Sequence, residues 1–200
     1  MVGTTDAEPG SIDPGDPVEP VGVVPVTGRG SLPFVLLHGD PLVVLASTAL
    51  EDAGVELLDF TETWAAVREM QRPVVLHDPL CPLTPVSFLR AAVEESARSG
   101  AVVVGVRPVT DTVKREHAGV VAETVDRDAL WAVVSPVVIP VPVVVRLPDW
   151  PHLDDFASLV TWFRSGFEVA FLEAPPTARR VEDESAVLLL ESIDEERPGP

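Results

Sequence analysis

Short runs of β-branched and other apolar residues alternate along this chain with longer segments in which apolar residues recur at helical spacing. The runs are too short for buried helices, and three of the longer segments end at glycine, a residue that readily terminates a helix. Strands that alternate with helices of roughly 10–15 residues build parallel βαβ units. We therefore expect an α/β fold of Rossmann-like type, with a mostly parallel sheet and helices on both faces.

The predicted elements follow this alternation from residue 21 to residue 193. Residues 107–135 interrupt it with polar turns and two short strands. Thr84 is predicted to cap a helix that has Pro85 at its first position and Gly100 beyond its end. The strands are predicted over 21–26, 55–58, 73–78, 101–106, 120–125, 131–136 and 167–173, and the helices over 40–54, 61–71, 85–100, 154–166 and 182–193.

Both ends of the chain are predicted to lie outside the folded domain. Residues 1–20 are rich in proline, glycine and acids and offer almost nothing to bury, so we expect a disordered acidic tail. Residues 194–200 are expected to be flexible, which leaves 21–193 as one domain. Of the net charge of −18, residues 21–181 carry only −7, so the domain itself is moderately acidic.

This charge balance argues against two classes of partner. Nucleic acids and anionic membranes are bound through lysine and arginine, which neutralise phosphate. The N-terminus has no basic start followed by a long apolar run, and the most apolar run, 137–145, is short and contains proline. We expect a cytoplasmic protein that binds neither nucleic acid nor membrane.

In open α/β sheets, ligands bind at the carboxyl ends of the strands, so the residues directly after predicted strands are the first candidates for a site. Three segments of this kind carry polar or charged residues. They are TGRG (27–30), HDPLCP (77–82) and RPVTDTVKR (107–115).

Three motifs occur in one order and at a fitting distance: HDPLCPL, PVTDTVKR and ETVDRDALWAVVSP. Together they resemble the 2-C-methyl-D-erythritol 4-phosphate cytidylyltransferases of the non-mevalonate isoprenoid pathway. The resemblance is strong over 73–136, and weaker but collinear over 21–54 and 150–192. It implies a nucleotidyltransferase that joins CTP to methylerythritol phosphate and releases diphosphate. In such a reaction the enzyme supplies mainly positioning and cationic screening.

On the acceptor side, the resemblance implies a complete set of chemically suitable residues with one exception. Asp78, Thr112, Arg127 and Ser135 match the family positions that surround methylerythritol phosphate, where hydroxyls and a carboxylate read the diol and a guanidinium holds phosphate. The family also has an arginine directly before the proline of its HD motif. In this chain that position is Cys81, so one phosphate-holding charge is absent.

On the nucleotide side the departures are larger. The family cradles the triphosphate with an Ala-Ala-Gly-x-Gly-x-Arg loop followed by Pro-Lys, and only Gly28, Arg29 and Gly30 correspond to it here. These three are the candidate nucleotide-binding residues, although a plain tight turn is the favoured interpretation of the segment. The family's glycine-rich clasp for cytosine corresponds to DFTETWAAV (59–67), which has neither glycine nor serine.

The lysine content points the same way. The family uses one lysine near its first loop and another before its last helix, whereas this chain has a single lysine, Lys114, within the DT motif. Arg179 or Arg180 stands at the late position, and we take Arg180 with Arg127 as the candidate catalytic residues. If each lost cation costs roughly 2–4 kcal/mol of transition-state stabilisation, the loss of two or three lowers the rate by ~10⁴-fold or more.

The remaining chemically interesting side chains have structural interpretations. The four histidines and the single cysteine show no metal-ligand spacing, and no metal site is predicted. Cys81 is interpreted as an unreactive thiol, and His77 as a residue packed at a strand end. Asp154 and Asp155 are interpreted as helix caps.

We interpret the chain as a shortened and degenerate member of this family, weakly active or non-catalytic. The resemblance implies that residues 107–136 form a β-arm that clasps a second subunit. The partner would be a second copy or an intact cytidylyltransferase to which the arm lends Arg127. One alternative is an active enzyme that uses CTP with Mg²⁺. Another is a non-catalytic sensor of a phosphorylated polyol.

Overall fold

The computed structural model describes residues 18–59, 61–109, 114–117, 120–124 and 130–195. Most of the predicted acidic tail, and the end of the predicted C-terminal tail, lie outside these ranges. Thr112 and Arg127 also lie outside them. In the described parts of the chain, no helix is both long enough and apolar enough to cross a lipid bilayer.

A six-stranded sheet forms the centre of the domain, with the strand order β10-β6-β9-β5-β1-β4. Two short antiparallel pairs, β2–β3 and β7–β8, form separate two-stranded sheets. The strands are β1 (Val21–Val23), β2 (Leu36–Leu37), β3 (Asp40–Pro41), β4 (Glu56–Leu57), β5 (Val74–Leu76), β6 (Val102–Pro108), β7 (Lys114–His117), β8 (Val120–Thr124), β9 (Trp131–Ile139) and β10 (Val169–Glu173).

The helices occur where the apolar periodicity predicts them, with the addition of one short helix after β9. Gly100 ends α3 at φ +70°, in the left-handed conformation that glycine adopts without strain. Asp155 caps α5 by accepting from the amides of Ala157 and Ser158. The helices are α1 (Leu42–Asp52), α2 (Trp64–Met70), α3 (Val86–Ser99), α4 (Val141–Val144), α5 (Phe156–Arg164) and α6 (Glu184–Glu195).

The predicted cap at Thr84 is wrong. The hydroxyl of Thr84 donates to the carbonyl of Cys81 at 2.8 Å, and Pro85 precedes α3 without a side-chain cap. The Thr84 hydroxyl therefore stabilises the turn that follows Asp78 and does not cap α3.

Alternation of side chains along the buried strands explains why helices cover both faces. In β5, Val74 and Leu76 face the core shared with α2, α4 and α5, whereas Val75 faces the core shared with α1 and α3. The first core consists mainly of valine, leucine and aromatic residues, and the second consists of valine, leucine and alanine. The mostly parallel, doubly covered sheet expected from the sequence is confirmed.

Among the described strands of the sheet, β9 alone runs antiparallel to its neighbours, and it lies between β5 and β6. Residues 131–136, predicted as a strand of the excursion, thus begin a longer strand that returns into the sheet. Gly105 allows this return, because a Cβ there would lie 2.6 Å from the carbonyl oxygen of Ser135. The close approach places Ser135 next to the middle of β6 and beside Asp78, at the carboxyl end of β5.

Candidate active site

The carboxyl ends of β1 and β5 lie side by side, since these strands pair in parallel. Arg29 follows β1 and Asp78 follows β5, so topology brings together two residues 49 positions apart in sequence. Arg180 reaches the same point from the segment before α6. That segment is held by the Val181 amide, which donates to the carbonyl of Leu80 at 2.7 Å.

The carboxylate of Asp78 is shared between two arginines. Its Oδ1 accepts from Nε of Arg29 at 2.7 Å and from the Leu80 amide at 3.1 Å, and its Oδ2 accepts from Nε of Arg180 at 3.0 Å. The side chains of Asp78 and Arg29 are 3% and 1% exposed, whereas that of Arg180 is 39% exposed. The Asp78–Arg29 pair is therefore a buried ion pair, and the partly exposed Arg180 contacts Asp78 from the solvent side.

The other groups of Arg29 are also engaged. Its Nη1 donates to the carbonyls of Thr27 at 2.7 Å and Leu153 at 3.0 Å. The guanidinium carbon lies 5.2 Å from the ring centroid of Phe156, within the range of a cation–π contact. Arg29 thus ties the first loop to β5 and to the approach to α5, and its charge is directed into the protein.

The glycine turn around Arg29 packs tightly against the segment before α5. Gly28 has φ +77°, and a Cβ at this residue would come within 2.9 Å of the Asp154 carbonyl oxygen. Gly30 has φ +58° with open space around it. The turn leads first into a short 3₁₀ helix, Leu32–Phe34, and α1 starts only at Leu42.

Ser135 is fully buried, and its hydroxyl forms hydrogen bonds with two neighbouring residues. Its Oγ accepts from the Asp78 amide at 2.9 Å and forms a second hydrogen bond with Nδ1 of His77. Burial lowers the pKa of His77 to about 4, against a smaller opposite effect of Asp78, so the imidazole is neutral at pH 7. His77 Nε2 is buried without a hydrogen-bond partner among the described residues.

Cys81 is fully buried beside this cluster. Burial raises the pKa of its thiol strongly, and the nearby Asp78 carboxylate raises it further. The thiol therefore stays protonated at neutral pH and cannot act as a nucleophile there, as the sequence interpretation expected.

A cleft of about 770 Å³ opens next to this cluster, between the end of β6, the beginning of β9 and the segment that leads into α6. Arg107, Arg179 and Arg180 all line it. Burial lowers the pKa of Arg107, and the positive charge of Arg179 lowers it further. Three cationic side chains thus share one concave surface.

The structure brings together part of the predicted site. Asp78, Ser135, Arg29 and Arg180 form one connected cluster, with Gly28 and Gly30 on either side of Arg29. Thr112 and Arg127 lie outside the described residues. The sequence analysis did not single out Arg107, although it follows a buried valine strand directly, the position at which binding residues of α/β sheets occur.

The described ranges contain no group of three His, Cys, Asp or Glu side chains that could hold a metal ion. Both oxygens of Asp78, the central carboxylate of the cluster, are occupied by arginines. The cluster therefore does not fit a protein-bound Mg²⁺.

Comparison with known proteins identifies the family. Residues 60–182 match the sequence model of the family IspD, 2-C-methyl-D-erythritol 4-phosphate cytidylyltransferase. The chain belongs to this family. The match includes Asp78, Ser135 and Arg180, whereas Arg29 and its glycine turn lie before the matched residues.

Individual relatives match over shorter lengths. A 2-C-methyl-D-erythritol 4-phosphate cytidylyltransferase of Synechococcus sp. strain CC9902 is 34% identical over 145 residues, which cover 68% of this chain and 62% of the relative. The relative of that name from Bacillus velezensis is 43% identical over 63 residues, 32% of this chain and 27% of the relative. The chain thus spans less than two thirds of the length of these relatives.

Solved structures show the same fold over more of the chain. The 2-C-methyl-D-erythritol 4-phosphate cytidylyltransferase of Thermus thermophilus superposes with a TM-score of 0.66 at 22% identity, covering 88% of this chain and 99% of that one. A 4-diphosphocytidyl-2C-methyl-D-erythritol synthase from Anaerococcus prevotii gives 0.63 at 13% identity, over 90% of this chain and 100% of that one. The fold of the cytidylyltransferase family is therefore shown for nearly the whole domain.

The shared carboxylate predicts unequal costs for removing its partners. Asp78→Asn leaves the buried Arg29 without a counter-charge and should lower the free energy of unfolding by about 3–5 kcal/mol. Arg180→Gln removes a partly exposed partner and should lower it by about 1 kcal/mol or less. Urea denaturation measures both values, with the exposed Asp154→Asn as a control expected within about 0.5 kcal/mol of wild type. Equal costs for Asp78→Asn and Arg180→Gln would contradict the described geometry.

The lowered pKa of His77 predicts how the free energy of unfolding depends on pH. The unfolded histidine binds a proton near its ordinary pKa of 6.5, but the folded one does so only near 4. The unfolded state thus holds more protons in between, and stability should fall by about 3 kcal/mol as the pH drops through this range. His77→Gln should lack this component when unfolding free energies are measured from pH 7 to pH 4. The same pH slope in both proteins would show that His77 does not remain neutral in the folded state.

Proposed function

We propose that this chain is a cytidylyltransferase-family protein with an eroded CTP site, weakly active or non-catalytic, that works as a dimer partner or regulator in isoprenoid-precursor synthesis. The observation that carries this proposal is the position of Arg29. It is the cation of the first loop, and it is buried against Asp78 instead of facing a ligand.

Phosphoryl transfer needs cations that are free to stabilise charge developing on the phosphates. Arg29 would have to leave Asp78, two carbonyls and Phe156 before it could reach a triphosphate. Leaving them would uncover a buried carboxylate and lose several charge-assisted hydrogen bonds. Because Asp78 neutralises the charge of Arg29, the first loop is poorly suited to bind phosphate.

Two further observations support the loss of nucleotide binding. The Gly28 turn is packed against Asp154 and leads into a 3₁₀ helix, so it lacks the helix N-terminus that commonly helps to bind phosphate. The single lysine, Lys114, belongs to β7 and not to the first loop or the segment before α6.

The proposed dimer contact is the region 107–136. Its described part contains the β7–β8 hairpin and the beginning of β9, where Trp131 is 50% exposed. A half-exposed tryptophan is suited to a protein contact. We propose that a second copy, or an intact cytidylyltransferase that receives Arg127, covers this region.

An active cytidylyltransferase is the alternative, and the cationic cleft favours it. Arg107, Arg179 and Arg180 line this cleft. The family motifs account for a cation at only one of these positions, the late one at Arg179 or Arg180. In that case CTP would bring its own Mg²⁺, since the cluster around Asp78 does not fit one.

Turnover distinguishes the two functions. The purified chain is incubated with CTP, Mg²⁺ and 2-C-methyl-D-erythritol 4-phosphate, and diphosphate release is measured beside the Thermus thermophilus enzyme. We expect a rate lower by ~10⁴-fold or more, because two or three phosphate-binding cations are absent or neutralised. A rate within about tenfold of the Thermus enzyme would establish the active alternative.

The controls separate residual activity from contamination and test the dimer. Any true residual turnover should fall further in Arg180→Gln, whereas turnover by a contaminant would not change. Sedimentation of the same preparation, alone and mixed with the Thermus enzyme, measures association. A chain that stays monomeric under both conditions would contradict the proposed dimer contact.

A further inference from the structure

The two edges of the central sheet differ in how they are protected. At one edge, β4 is only two residues long, and its Glu56 forms an ion pair with Arg72. At the other edge, β10 has five residues and pairs with β6 in a continuous register. Natural sheets protect their edges with short strands, prolines, lysines or bulges. β10 contains no proline, lysine or bulge, so its edge is open to another strand.

The outer side of β10 presents main-chain hydrogen-bonding groups. The carbonyl of Glu168 accepts from a β6 amide at 2.9 Å, and the amide of Ala174 donates to a β6 carbonyl at 2.8 Å. Alternate residues of a strand bond to the same side, so even-numbered residues of this segment point their main-chain groups to β6. No described strand lies on the other side. The amides and carbonyls that point there belong to Val169, Phe171 and Glu173.

We propose that β10 pairs with β10 of a second copy of this chain, antiparallel and around a two-fold axis at Phe171. Such pairing joins the two sheets edge to edge and gives the outward amides and carbonyls of both strands their partners. This inference goes beyond the proposed function, because β10 lies outside residues 107–136 and the contact involves no CTP.

The apolar side chains at this edge suit such a contact. Phe171 is 50% exposed, and so is Trp131, which lines the same groove between the sheet and α5. The groove has a volume of about 670 Å³. Around the two-fold axis, the two copies of Phe171 would lie directly opposite each other, and aromatic pairs of this kind stabilise antiparallel strands. A second copy would therefore bury aromatic surface that a single chain leaves in water.

Charge complementarity favours a second copy as the occupant. Arg164 and Glu173 both line the groove, and the ion pairs of the described residues include neither of them. The guanidinium carbon of Arg164 lies 5.8 Å from the ring centroid of Phe171. Antiparallel pairing around Phe171 places the partner's Glu173 opposite Val169, on the same face of the sheet as Arg164. By symmetry, this pair of opposite charges forms twice.

Charge reversal tests this contact. Sedimentation equilibrium measures the self-association of the wild-type chain, of Arg164→Glu and of Glu173→Arg at concentrations up to about 1 mM. In each variant alone, like charges meet twice at the interface, so we expect self-association to weaken roughly 10- to 100-fold. An equimolar mixture of the two variants should associate as wild type does, because opposite charges then meet again at both positions.

The matched control is Arg68→Glu. Like Arg164, Arg68 is an exposed arginine in the last turn of a helix, but it lies on α2 and does not line the groove, so this variant should self-associate as wild type does. Far-UV circular dichroism checks that each variant is folded.

Three results would overturn the proposal. They are a wild-type chain that stays monomeric, a mixture of the two folded variants that does not regain association, and undiminished self-association of each variant alone. Because the variants leave residues 107–136 unchanged, the last result would overturn the edge contact and leave the proposed dimer contact in place.

Discussion

The carboxylate of Asp78 is the interaction on which the rest of the site depends. It accepts from Arg29 after β1 and from Arg180 before α6, and its own amide donates to Ser135 of β9. Four separate parts of the chain therefore meet at one buried negative charge. A charge so far from solvent is stable only while its partners stay in place, so the loop, the central strands and the last helix are held in one arrangement.

This arrangement has a chemical consequence. A nucleotidyltransferase needs unpaired cations at its first loop, but here the loop cation stabilises the protein itself. Arg107, at the end of β6, and Arg179, on the segment before α6, line the cleft beside this ion pair. The family fold is kept around both.

Much of the fold was predictable because local signals decide it. Gly100 predicts the end of α3, the apolar spacing predicts α3 and α5, and the valine run predicts β6. The structure forms each of these elements. The position of β9 was not predictable from periodicity, since a buried run reads alike in a parallel or an antiparallel strand. The Asp78–Arg29 pair joins residues 49 apart, and only the strand order brings them together. Motif matching selected both residues but assigned them to different ligands. Arg107 lies directly after a predicted strand, a position typical of binding residues in α/β sheets, but it belongs to none of the three family motifs.

We propose that Arg29 is committed to Asp78 and does not bind a triphosphate. Titration of CTP with Mg²⁺ into the purified chain, followed through heat and through the Nε–H resonance of Arg29, tests this most directly. The account predicts no saturable binding up to about 1 mM CTP and an unchanged Arg29 resonance. A micromolar dissociation constant accompanied by a shift of that resonance would contradict it.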